Sequence, residues 1–86
     1  MRLFEYVFWL KFESMTKIRD VVFLKAFGKR VRELRKEKGF SQYELSYESN
    51  IPKSQIVRIE QGEINTGISS VKAIADALEI NIQELF

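Results

Sequence analysis

The sequence predicts an all-α fold of five helices, with a short strand-like arm at its N-terminus. Three observations lead there. Beyond residue 20, apolar residues recur at three- and four-residue spacing, the period of a helix with one buried face. Residues that open and close helices bracket each of those runs. Only the first fifteen residues alternate with a period of two. At 86 residues the chain has room for one domain around a single modest core.

Residues 1–15, MRLFEYVFWLKFESM, hold five of the eleven aromatic residues. Phe4, Tyr6, Phe8, Leu10 and Phe12 occupy alternate positions, which reads as a strand. An isolated apolar strand leaves its N–H and C=O groups unpaired and invites aggregation. Pairing with its own copy across a two-fold axis relieves this, so residues 1–15 are expected to be an arm and dimer element, and residues 16–86 the domain. Met15 offers an alternative start, which would place residues 1–14 upstream of the native chain. The rival dimer surface is the C-terminal end, where Ile80, Ile82, Leu85 and Phe86 form a smaller apolar patch.

The first helix is expected over residues 20–38, capped by Asp20 and stopped by Gly39. Its interior stripe is Leu24, Phe27, Val31 and Leu34. A second helix opens with Ser41 and Glu44, the S-x-x-E spacing in which each side chain satisfies the other residue's free N–H. Phe40, before that cap, and Leu45 are placed to close a hydrophobic staple. A turn of about four residues leads to a third helix, Pro52 to Gln61. Ile56 and Ile59 face inward there, and Lys53, Ser54, Val57 and Arg58 face outward. Gly62 ends it where positive φ is wanted. A fourth helix, capped by Thr66 or Ser69 and running to Leu78, buries Val71, Ile74, Ala75 and Leu78. Asn81 and Glu84 open a last short helix ending at Leu85 or Phe86.

Composition narrows the function classes. The chain has no cysteine and no histidine, which excludes disulfides and an ordinary zinc site. The same absence, with no paired-carboxylate motif, argues against an enzyme. No cofactor and no metal are expected. The longest apolar run falls well short of the roughly 20 residues of a membrane span. Glu5 and Lys11 interrupt the N-terminus, which lacks the form of a signal peptide, so a cytoplasmic location without membrane attachment is expected. The net charge of +2 conceals an asymmetry. Residues 17–38 carry nine Lys or Arg and three acids, whereas residues 39–86 carry three basic residues and seven acids. Lys25, Lys29, Arg32 and Lys36 share one face of the first helix, either a solvated surface or a field that attracts phosphate.

Residues 41–62, SQYELSYESNIPKSQIVRIEQG, form two short amphipathic helices across a turn, a helix-turn-helix. With the run Phe27-Gly28-Lys29-Arg30-Val31-Arg32-Glu33-Leu34-Arg35, the residues Gln42, Leu45, Ile51, Ile56, Glu60 and Gly62, and the tail Ile74-Ala75-Asp76-Ala77-Leu78 then Glu84-Leu85, the chain resembles the lambda-repressor/Cro-type (XRE-like) helix-turn-helix domain. The resemblance runs from about Asp20 to Phe86. Four positions depart from the family pattern: Asn50 for Gly, Ser46 for Ala, Pro52 for a Ser or Thr cap, and Glu79 for Gly.

The resemblance implies a five-helix domain that binds double-stranded DNA as a homodimer and regulates transcription as a repressor-type protein. It implies that the start of the third helix enters the major groove, so Lys53, Ser54, Val57 and Arg58 contact bases. Gln42 would hold a phosphate at the start of the second helix, with Tyr43 and Asn65 as further phosphate contacts. It also places Arg35 against Glu60 as a structural salt bridge. A restriction–modification controller or an antitoxin would share this domain. An interaction module on the same fold is the reading from another class.

Overall fold

A computed structural model describes the backbone of residues 3–86 and the side chains of residues 20–86. Four α-helices are followed by a closing 3₁₀ helix: α1 (Leu3–Lys38), α2 (Gln42–Ser49), α3 (Lys53–Glu60), α4 (Ile68–Leu78) and the 3₁₀ helix Ile82–Leu85. The first helix passes through Asp20 without a break. This corrects the strand-like arm. A single strand among helices has no ladder, whereas a helix pairs each N–H with a carbonyl of its own segment. The alternation was also a poor discriminator, because Val7 and Trp9 fill intervening positions with further apolar residues. At 1.5 Å per residue, 36 residues of helix account for about 54 Å, close to the longest dimension of 55 Å. The side chains proposed for an arm-mediated dimer lie outside the described residues.

Three helices end in the same way. Gly39 at φ +82° closes α1, with the Phe40 N–H on the Arg35 carbonyl at 3.0 Å. Gly62 at φ +72° closes α3, with the Glu63 N–H on the Arg58 carbonyl at 2.9 Å. Glu79 at φ +58° closes α4, with the Ile80 N–H on the Ala75 carbonyl at 3.0 Å. Each is the six-to-one bond that captures an orphan carbonyl and calls for a left-handed residue. Glycine takes that conformation without strain, and Glu79 does not. At the end of α2 the same backbone falls to Asn50, φ +59°, the residue type after glycine best suited to it.

Helix starts agree with expectation at Ser41 and at Asn81, where the N–H bonds Glu84 Oε2 at 3.0 Å, and differ at α4. Ser41 and Glu44 form the expected capping box, with the Glu44 N–H on Ser41 Oγ at 3.0 Å and the Ser41 N–H on Glu44 Oε1 at 3.1 Å. For α4 the cap is Gly67, not Thr66 or Ser69, and no side chain bonds the free N–H groups there. Extended backbone at Gly67 supplies the geometry, while the Thr66 hydroxyl is buried without a partner.

The core joins one stripe from each helix. Phe27, Val31 and Leu34 of α1 meet Leu45, Ile56, Ile59, Val71, Ile74, Ala75, Leu78 and Leu85, all buried, with Phe40 packed at the edge. Leu24 is only half-buried. The two helices of the motif are eight residues each, too short to persist alone. Packing of α1 on α3 and of α2 on α4 holds them.

Gly28 makes the first of those contacts possible. A Cβ there would fall 2.8 Å from the Glu60 carbonyl oxygen and closer still to that of Ile59. The backbones of α1 and α3 therefore touch at the position where the last turn of α3 must be set.

Candidate nucleic-acid interface

The sequence of α3, KSQIVRIE, divides its surface by helical spacing alone. Ile56 and Ile59 are buried. Lys53, Ser54 and Arg58 are exposed, and Val57 and Gln55 are half-buried. Val57 is thus less outward than its spacing suggests. Arg58 extends into solvent with its nearest carboxylate, Glu63, at 3.9 Å. Pro52 precedes the helix and cannot cap it with a side chain, so the first N–H groups of α3 carry no side-chain partner.

The turn into α3 is three residues, Asn50 to Pro52, rather than four. Its conformation is held by side chains of α2. Ser46 Oγ donates to the Ile51 carbonyl, and Ser49 Oγ accepts the Ile51 N–H at 3.3 Å. Ser46 is one of the four departures from the family pattern, and its hydroxyl ties down the turn. Ile51 between them is buried, so the turn is fixed by both packing and hydrogen bonds.

Arg35 and Glu60 anchor the far end of α3. Arg35 Nε donates to Glu60 Oε2 at 2.7 Å and Nη2 to Oε1 at 3.0 Å, a bidentate pair. Arg35 Nη1 also donates to the Phe40 carbonyl at 2.8 Å. Gln42 Nε2 reaches Glu60 Oε1 at 3.2 Å. The Arg35 and Glu60 side chains are only 9% and 3% exposed. Four elements therefore converge on one carboxylate and guanidinium: α1, the α1–α2 link, α2 and α3. The Phe40 and Gln42 contacts were not legible in the sequence. A resemblance pairs residues of opposite charge, but a backbone carbonyl and a neutral amide carry no such signal.

Of the expected phosphate contacts, Tyr43 and Asn65 are exposed, Tyr43 at 67%. Gln42 is half-buried and partly committed to Glu60. Lys25, Lys29, Arg32 and Lys36 are all exposed along α1. Among the described residues no group of His, Cys, Asp and Glu could hold a metal ion, and no helix is long and apolar enough to cross a membrane.

Comparison with known proteins agrees with this geometry. Residues 31–85 match the helix-turn-helix family. The chain is 37% identical over 60 residues to the HTH-type transcriptional regulator SlrR of Bacillus subtilis (strain 168), an alignment covering 69% of this chain. It is 31% identical over 58 residues, 67% of its length, to the immunity repressor protein of Bacillus phage phi105. In both cases the alignment spans 40% of the relative's length. Among solved structures, the restriction-modification controller protein C.AhdI from Aeromonas hydrophila superposes with a TM-score of 0.75 at 38% identity. That match covers 76% of this chain and 98% of C.AhdI.

Proposed function

The chain belongs to the helix-turn-helix family, and on that footing we propose that it binds double-stranded DNA sequence-specifically and regulates transcription by occupying its site. The observation that carries the reading is the outer face of α3. Lys53, Ser54 and Arg58 stand exposed on a helix whose inner face and far end are locked to the scaffold. The major groove admits one helix and presents a distinct donor and acceptor pattern for each base pair. Arg58 has the planar fork that matches guanine O6 and N7, Lys53 and Ser54 lie at the leading end, and Val57 has a methyl surface for thymine. Gln42, Tyr43 and Asn65 would contact phosphates and set register.

The working form is a homodimer on two half-sites, joined through residues 1–15 or through the C-terminal patch. Control of a restriction–modification cassette is a narrower form of this reading. It draws support from the cover of 98% of C.AhdI, a protein no larger than this domain. A DNA target implies a cytoplasmic protein, and no catalytic step is proposed. The interaction-module reading fits less well, because a protein-binding face is enriched in apolar anchors rather than Lys, Ser and Arg.

Selection from a random duplex pool tests the proposal. A recovered motif with half-sites about 34 Å apart, or a multiple of that, is the expected outcome. Arg58→Ala should then cost about 1–3 kcal/mol on the selected duplex and relax preference at one position. Failure to enrich any sequence, with equal affinity for all duplexes, would refute sequence-specific binding.

A further inference from the structure

An apolar cleft of about 200 Å³ lies between α1, the loop joining α3 to α4, the start of α4, and Phe86. Three aromatic rings line it. Phe23 and Phe27 stand one turn apart on α1, and the Phe86 ring stacks on Phe27 at 5.3 Å and on Phe23 at 5.9 Å. Phe27 and Val71 are buried and form its depth, while Phe23 and Phe86 are exposed and form its rim. Among the described residues that line it none carries a charge, and only Asn65 and Thr66 are polar. Thr66 brings an unsatisfied group. Its hydroxyl is buried and bonds nothing, a costly state for a polar atom.

We propose that this cleft is a binding site for a small, neutral aromatic molecule carrying one hydrogen-bonding substituent, of which phenol is the simplest. Size sets the first limit. A cavity of about 150 Å³ lined by apolar side chains admits benzene, so the present volume takes one ring with a small substituent. The walls set the second. Phe23, Phe27 and Phe86 offer ring faces and edges to an aromatic ligand, and uncharged surroundings leave a carboxylate or ammonium without a partner. Thr66 sets the third. Rotation about χ1 exchanges a threonine hydroxyl and methyl between staggered positions, which brings the hydroxyl to the ligand and ends its unpaired state. No described lining residue belongs to α2 or α3, so the inference stands apart from the DNA-binding reading.

Methyl NMR of the full chain during titration with phenol, and separately with toluene, tests this. The two probes match in size and differ by a hydroxyl for a methyl. Signals of Leu24, Ile68 and Val71 should shift and saturate with both. Thr66→Val keeps the side-chain shape and removes the hydroxyl. It should weaken phenol about fivefold, leave toluene no weaker, and melt no lower than the unaltered chain. Phe86→Ala removes one ring and should weaken both probes about threefold or more. Absence of saturation with either probe would overturn the assignment, as would a phenol-to-toluene affinity ratio unchanged in Thr66→Val. Shifts at Phe23 and Phe86 that follow protein concentration and not probe concentration would give the cleft to a second copy of the chain, and overturn it equally.

Discussion

Replacing Glu60 by Gln removes a charge at the point where four parts of the chain meet. Three donors converge on its two oxygens: Arg35 Nε at 2.7 Å, Arg35 Nη2 at 3.0 Å and Gln42 Nε2 at 3.2 Å. An amide offers one oxygen and one NH₂ group, so at least one of these donors faces another donor. The Arg35 guanidinium, 9% exposed, is then left without its counter-charge. Removing one partner of a buried pair costs about 3–5 kcal/mol, against a total stability of about 5–15 kcal/mol for a domain. At about 4–8 °C per kcal/mol for a domain of this size, Glu60→Gln should lower Tm by about 12 °C or more. Helical ellipticity followed through a thermal melt measures this, with Glu63→Gln as the control. Glu63 is half-exposed, 3.9 Å from Arg58, and its replacement should be close to neutral. The double replacement Arg35→Met with Glu60→Leu should be milder than Glu60→Gln alone, because no stranded charge remains. Equal melting temperatures for Glu60→Gln and Glu63→Gln would refute the reasoning.

Gly28→Ala should destabilise by about 1–3 kcal/mol or more in urea unfolding, because its Cβ meets the α3 backbone. Helix propensity alone predicts the opposite sign, so a stabilised Ala variant would disprove the close approach. Glu79→Gly should raise Tm by a few degrees through relief of left-handed strain, and by more than Asn50→Gly, since asparagine already tolerates that region. A Lys38 hydrogen bond at 2.7 Å holds the Glu79 carboxyl below its ordinary value. Its small contribution is therefore full above pH 4.5, fades as pH falls through the lowered value, and should vanish in high salt. A chain starting at Met15, compared with the full chain by light scattering, decides between the proposed dimer surfaces. Loss of the dimer assigns it to residues 1–14, and equal dimers direct attention to Ile82 and Phe86, the exposed members of the expected C-terminal patch, since Leu85 is buried in the core and Ile80 packs against it.

Much of the domain was determined by the sequence itself, because the responsible interactions are local. The Ser41–Glu44 box spans three residues, the inner stripes of α1, α3 and α4 follow helical period, and Gly39 and Gly62 mark ends whose bonds close within five residues. The exposed face of α3 needs only that period and the positions of Ile56 and Ile59. Tertiary structure decided the rest. Alternation at residues 4–12 could not show whether a partner strand existed, and without one the backbone satisfied itself as a helix. Gly28 reads in sequence as a flaw in a helix, and only the crossing of α1 and α3 makes it a requirement. The cap of α4 passed from two hydroxyl residues to Gly67, since backbone geometry outranked side-chain chemistry there. Glu60 gathers donors from residues 18 and 25 positions away. No window of sequence contains these contacts, because they come into being only when the helices pack.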